Sequence, residues 1–162
     1  QRWLDLSVVA NTSGRIWVAL DRVRDPGNLG TVMRTVDAVG AAGIILVGDC
    51  TDPYSVEAVR ASMGAVFNVK VIACSEAEFI AFTTAWPGRV IGTALPAAVD
   101  YRQADYDGSL IMLMGNEQAG LSVSLMDMCD QLIKIPMQGR SDSLNLAVAT
   151  GVALYSALDQ RG

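Results

Sequence analysis

Six short apolar runs punctuate the chain, each followed by polar or helically spaced residues, and this alternation limits the folds open to it. The runs are IWVALD (16–21), GIILVG (43–48), VKVIA (69–73), RVIGTAL (89–95), SLIMLMG (109–115) and QLIKIP (131–136). Runs this short, with little internal alternation, predict strands covered on both faces, and so a mostly parallel sheet. Between them, Leu29, Val32, Val36 and Val39 recur at helical spacing, and helices are predicted over 55–64, 75–86, 122–129 and 143–160. Ser75 with Glu78 three residues later is a capping-box pattern. The expectation is one α/β domain over 16–162, with a six-stranded, mostly parallel sheet flanked by helices and with 1–15 as a tail or linker.

The chain has 162 residues, 51% hydrophobic and 18% charged, which suits a single packed domain. No apolar run reaches the roughly 18 to 20 residues that span a bilayer. Histidine is absent, which excludes Ser-His-Asp and Cys-His catalysis and removes the commonest metal ligand. Cys50, Cys74 and Cys129 are an odd number without a CxxC pair, so no metal is expected and a reducing, cytoplasmic setting is. A net charge of -5 argues against coating nucleic acid by bulk electrostatics. Most of the positive charge is arginine, the residue suited to forked contact with phosphate, so anion binding is expected to be local.

Ligands of open parallel sheets bind beyond the carboxyl ends of the strands, and three strand-end loops here are chemically unusual. DRVRDPGNLGTVMRT gathers Arg22, Arg24, Asn28 and Arg34 around a Pro-Gly turn. MGNEQAGLS places Glu117 between Gly115 and Gly120. IPMQGRSDSLN carries Arg140, Ser143 and Asn145 at the start of the last helix. Each has a plain structural alternative. Pro26-Gly27-Asn28 makes an ordinary helix start, Glu117 a solvated turn, and Ser141-Asp142 a helix cap. Arg34 has Asp37 within reach at i+3. Asn145, read as one turn inside an apolar helix, is a buried amide in need of partners. The last helix is apolar nearly all round, which predicts burial on a second side by a partner subunit.

Taken together and in this order, Asn-x-Gly-x-x-x-Arg, Gly-x-Glu-x-x-Gly-Leu-Ser and Ile-Pro-Met…Ser-Leu-Asn resemble the three motifs of the SpoU (TrmH) family. These are RNA ribose 2'-O-methyltransferases of the SPOUT superfamily. The resemblance runs from about Val18 to Leu158. One departure is Leu146-Ala147-Val148-Ala149, where the family commonly reads Val-Ser-Val-Ala.

The resemblance implies a C-terminal deep trefoil knot (the SPOUT fold), a homodimer through the knot and last helix, and S-adenosyl-L-methionine as cofactor, with S-adenosyl-L-homocysteine as product. It places the cofactor against Thr93, Leu95, Gly115, Ile135, Met137 and Leu144. It assigns catalysis to Arg34, Asn28, Glu117, Ser143 and Asn145, and RNA contact to Arg22, Arg24, Arg60 and Arg140. The substrate is rRNA or tRNA, with 1–15 leading from an absent N-terminal RNA-binding domain. Two other readings stand beside this one: a catalytically silent RNA-binding module, and an RNA methyltransferase acting on a base nitrogen.

Overall fold

A computed structural model describes residues 4–94, 99–135 and 145–161. A one-turn helix α1 (Ser7–Ala10) leads into β1 (Ile16–Asp21), α2 (Pro26–Val39), β2 (Gly43–Val47), α3 (Val56–Ser62) and β3 (Lys70–Cys74). There follow α4 (Glu76–Ala85), β4 (Arg89–Thr93), β5 (Val99–Asp100), β6 (Leu110–Met114), α5 (Val123–Met128), β7 (Gln131–Lys134) and α6 (Leu146–Gln160). Ser55, Ser75 and Ser122 cap α3, α4 and α5 through their hydroxyls, and at α4 Glu78 reaches back to complete the predicted capping box.

The strands form one sheet in the order β3-β2-β1-β6-β4-β7-β5, and every neighbouring pair is parallel. The sheet has seven strands where six were expected. The addition is β5, whose two residues pair with Ile133 and Lys134 and are too few to carry a periodic signal. The strand expected over 89–95 ends at Thr93, and the helix expected from 143 begins at Leu146.

All of β1, β2 and β6 is buried, as their unbroken apolar runs require. Side chains alternate between two helical layers. Val18 and Leu20 face the layer built from α2, α3 and α6, whereas Trp17 and Ala19 face the side of α1, α4 and α5. Burying one such Leu, Ile or Val contributes about 1.5 to 3 kcal/mol, so the sheet is the main source of stability. Helices α2 and α3 pack closely because Gly30 has no side chain. A Cβ there would lie 2.4 Å from the Ala58 carbonyl oxygen and 2.8 Å from the Ser62 nitrogen.

Residues 4–12, in the expected tail, fold back onto the domain. Leu4 pairs in parallel with Ile72 on the outer edge of β3, and Val9 is fully buried. The Trp17 indole N–H donates to Thr12 Oγ1 at 2.9 Å. After α6, the Arg161 guanidinium donates to the carbonyls of Tyr106 (2.6 Å), Gly108 (2.8 Å) and Gly14 (2.6 Å), tying the last helix to the amino edge of the sheet. Because all strands run the same way, their carboxyl ends emerge together at the opposite edge.

Candidate active site

At that edge the neighbours β1 and β6 hand their chains to two loops that hydrogen-bond to each other. Asn116 Nδ2 donates to the Arg22 carbonyl at 2.7 Å. The Glu117 carboxylate accepts from the backbone N–H of Asp25 at 2.9 Å and from that of Arg24 at 3.3 Å. Arg22 Nη2 donates to the Gly120 carbonyl at 3.3 Å, and the Ser122 N–H donates to Asp21 Oδ2 at 3.2 Å. The Asn116 Oδ1 accepts from the N–H groups of Gln118 and Ala119, both at 2.9 Å, which turns its own loop back on itself.

The β1 loop delivers the chain into α2. Asp25 is the N-cap, its carboxylate accepting from the Asn28 N–H at 3.1 Å, and Pro26 occupies the first helical position, where a missing N–H costs nothing. Asn28 is half-buried in the first turn. Arg34 lies eight residues after Pro26, about 12 Å along the axis at 1.5 Å per residue. Its guanidinium is exposed, and among the described residues it has no hydrogen bond or ion pair. The alternative pairing with Asp37 does not form. Arg60 on α3 is likewise exposed and without an ion pair among the described residues, and Gly30 brings α3 against α2.

The other two arginines are engaged. Arg22 adopts a left-handed backbone (φ 52°), and its guanidinium grips buried Asp21 with two hydrogen bonds of 2.9 and 3.1 Å. That contact raises its pKa further, so Arg22 is a fixed cation whose main partner is already in place. Arg24 pairs with Asp49, both well exposed. A surface pair of this kind is worth about 0.2 to 1 kcal/mol and yields readily to a phosphate.

Toward the middle of the sheet, β6, β4 and β7 are neighbours, so the ends carrying Gly115, Thr93 and Ile135 lie side by side. The Gly115 N–H donates to Thr93 Oγ1 at 3.1 Å, and all three residues are half-buried. Gly115 owes its lack of a side chain to its own loop, because a Cβ would stand 2.7 Å from the Leu121 nitrogen and 2.8 Å from the Gly120 carbonyl carbon. Apolar Ile135, the Thr93 hydroxyl and exposed strand-end backbone suit a flat heterocycle with a polar rim. Leu95, Met137, Arg140, Ser143 and Leu144 lie outside the described residues.

Asn145 differs from expectation. It is the N-cap of α6, exposed, with its Oδ1 accepting from the Ala147 N–H at 2.8 Å, and not a buried amide inside the helix. Glu117 makes no contact with Arg34. Asp21, Asp25 and Asn116 were not picked out from the sequence as site residues. Asp25 was detectable as an acid directly before a helix-starting proline, and Asn116 as the amide directly after Gly115. Partial burial pushes the Cys50 thiol up to about 11 and those of Cys74 and Cys129 up to about 12, which disfavours the reactive thiolate. Among the described residues no group of three or more acids, histidines or cysteines is placed to hold a metal.

A wholly parallel α/β domain with a site assembled from loops at its carboxyl edge belongs to the broad class of ligand-binding open-sheet proteins. Within that class, residues 15–155 match the SpoU rRNA Methylase family, and the chain belongs to it. A 23S rRNA (uridine(2479)-2'-O)-methyltransferase of Streptomyces viridochromogenes is 34% identical, over 97% of this chain and 57% of the relative. A 23S rRNA (guanosine(2553)-2'-O)-methyltransferase of Bacillus subtilis is 32% identical, over 84% of this chain and 55% of the relative. The chain therefore spans a little over half the length of these two relatives. The crystal structure of an AdoMet-bound rRNA methyltransferase from Sinorhizobium meliloti superimposes with a TM-score of 0.94 at 51% identity, covering 98% of this chain and 61% of that one.

Proposed function

We propose that this chain is the catalytic domain of a cytoplasmic, S-adenosylmethionine-dependent methyltransferase that modifies a ribose 2'-hydroxyl of ribosomal RNA. The observation that carries this reading is the joining of the β1 and β6 loops. It ties the start of α2, the helix of Asn28 and Arg34, to the loop that follows Gly115, in a chain whose family and relatives carry that activity. The cofactor supplies a sulfonium methyl; the 2'-oxygen forms its bond to carbon as the carbon–sulfur bond breaks, and the hydroxyl proton leaves to water.

The protein's part is positioning and charge. Arg34, with no ion pair among the described residues, binds the RNA phosphate beside the target ribose through its guanidinium and stabilises the developing alkoxide. Arg60 and Arg24 extend that grip along the backbone, which sets register without naming the base. Asn28 at the start of α2 and Asn145 at the start of α6 orient the sugar. Gly115, Thr93 and Ile135 wall the cofactor. Leu95, Met137, Leu144, Ser143 and Arg140 complete the two sites in this reading.

The C-terminal deep trefoil knot is part of the proposal. It is supported by family membership and by a strand order in which β7 enters between β4 and β5. So is the homodimer, supported by an apolar stripe on the outer face of α6. There Val148 and Tyr155 are 52% and 57% exposed and Leu158 38%, a face too greasy to leave in water.

The test is 2'-O-methyl mapping of total RNA from cells with and without the gene. Loss of one ribose methyl in rRNA is expected. Loss in tRNA corrects the substrate, loss of a base methyl overturns the ribose assignment, and no loss moves the domain to a silent RNA-binding module.

A further inference from the structure

Glu117 falls among the residues that the family resemblance would make catalytic, yet the structure gives its carboxylate other work. Its oxygens accept from the Asp25 N–H at 2.9 Å, from the Arg24 N–H at 3.3 Å, and from Asn116 Nδ2 at 3.4 Å. Among the described residues no cation touches it: Arg24 directs its own guanidinium to Asp49, and Arg34 makes no bond to it. Three N–H donors thus converge on this carboxylate, and two of them are backbone groups of the segment that launches α2.

We propose that Asn116 and Glu117 form a clip, a pair of positioning residues that fix the start of α2, and through it Asn28 and Arg34, relative to the cofactor-side loop of β6. The Asn116 side chain is fully engaged. Its Nδ2 donates to the Arg22 carbonyl at 2.7 Å, and its Oδ1 accepts from the N–H groups of Gln118 and Ala119. The Asn116 N–H and carbonyl also exchange bonds with Gly120, at 3.1 and 3.0 Å. The clip thus ends on a rigid turn on one side. On the other it ends on Asp25, which caps α2 through the Asn28 N–H. Neither residue meets the reacting atoms in this account. Their effect is transmitted through the loop, where a displacement of about 1 Å at a reacting centre can lower a rate about 100-fold.

The inference rests on the methyltransferase reading, so its test includes a readout independent of turnover. The N–H groups of Arg24 and Asp25 lie in an exposed loop, and the Glu117 carboxylate is the acceptor that shelters them. Their hydrogen exchange therefore reports the clip directly. Glu117→Ala and Glu117→Gln are compared with the parent protein by residue-resolved hydrogen exchange, S-adenosylmethionine titration and single-turnover methyl transfer. Asn116→Asp, which sets an acceptor against the Arg22 carbonyl, is a second probe.

Exchange at Arg24 and Asp25 is expected to quicken at least about 10-fold in Glu117→Ala and Asn116→Asp, transfer to fall about 100-fold, and cofactor Kd to stay within about 3-fold. Glu117→Gln, which keeps one acceptor oxygen, should recover part of both the protection and the rate. Lost transfer with unchanged exchange overturns the clip in favour of direct chemistry at Glu117. Faster exchange with unchanged transfer overturns it as a positioning device. If the parent protein methylates no ribose, the functional reading fails, while the exchange data still decide whether the clip holds the loop.

Discussion

At the scale of single residues, the site separates into groups that are committed and groups that are free. Arg22 is bound to Asp21, and Glu117 accepts from the backbone N–H groups of Arg24 and Asp25, whereas Arg34 has no ion pair among the described residues. Arg34→Ala should therefore lower methyl transfer at least about 100-fold while leaving cofactor Kd within about 3-fold, as measured by calorimetry and single-turnover assays. A large loss of cofactor affinity would refute that division of labour. Asn145 has two separable roles. Asn145→Ala removes an N-cap and should cost about 1 kcal/mol by urea unfolding. Asn145→Ser keeps a capping oxygen but not the amide, so it should recover stability without recovering transfer. If Ser restores both, the side chain matters only to the helix. The thiols give a third expectation. An unfolded cysteine ionises near about 8.5, but those buried here are held up at about 11 and 12. Ionisation at alkaline pH thus favours the unfolded chain. Their contribution to stability is whole below about pH 8.5 and declines as pH rises toward 11. Ellman's reagent at pH 8 should find the thiols slow to react until denaturant is added.

Among the elements, α2 is the one on which the site depends, because its start, side and end are set by different neighbours. Its start is held by Asp25 and the β6 loop, and its side by contact with α3 at Gly30. Gly30→Ala should cost about 1 to 3 kcal/mol, because its new methyl would meet backbone atoms that cannot rotate away. Transfer should fall with it, since α2 has to shift to make room. Unfolding midpoints and transfer rates measured together check this, and an unchanged midpoint would show that α3 yields. Element boundaries show how far the sequence could be read. Six strands and the longer helices were legible, because unbroken apolar runs and a 3.6-residue period survive any tertiary context. β5 was not, since two residues carry no period and its pairing depends on where β7 lies. Asn145 was misplaced because an apolar pattern beginning near Leu144 does not reveal where helical dihedrals begin. The Asn-x-Gly-x-x-x-Arg motif was legible as a motif, but its glycine serves helix packing, which emerges only when α3 is laid alongside.

For the molecule as a whole, exposed arginines and exposed apolar side chains lie on different surfaces, and the two proposed partners, RNA and a second copy, would use one each. The body is acidic, yet Arg34 and Arg60 stand exposed on adjacent helices, where phosphate is the anion with matching geometry. The outer stripe of α6, bordered by Tyr101 and Arg102, is the surface on which the proposed second copy would pack. Sedimentation equilibrium at micromolar concentration should return a dimer mass. Val148→Asp and Tyr155→Asp, at positions already exposed, should give a folded monomer. A monomeric parent protein would remove the interface from the account. That the last helix is apolar nearly all round was legible in the sequence, and the side chains it leaves exposed are Val148, Tyr155 and Leu158. Nothing in the sequence warned of the network between the β1 and β6 loops, whose members are about 95 residues apart in the chain and are joined only by the neighbouring positions of two strands.

The pairing of Leu4 with Ile72 has a consequence for how the protein behaves when concentrated. β3 is an outermost strand, and its unpaired backbone groups would otherwise present a template to any extended segment nearby. With a stretch of its own chain laid along that rim, the protein denies the place to a stranger. Removing residues 1–4 should leave the loops of the carboxyl edge intact yet turn a clear solution cloudy on gentle warming, with the rise in scattering preceding any loss of the buried Trp17 fluorescence signal.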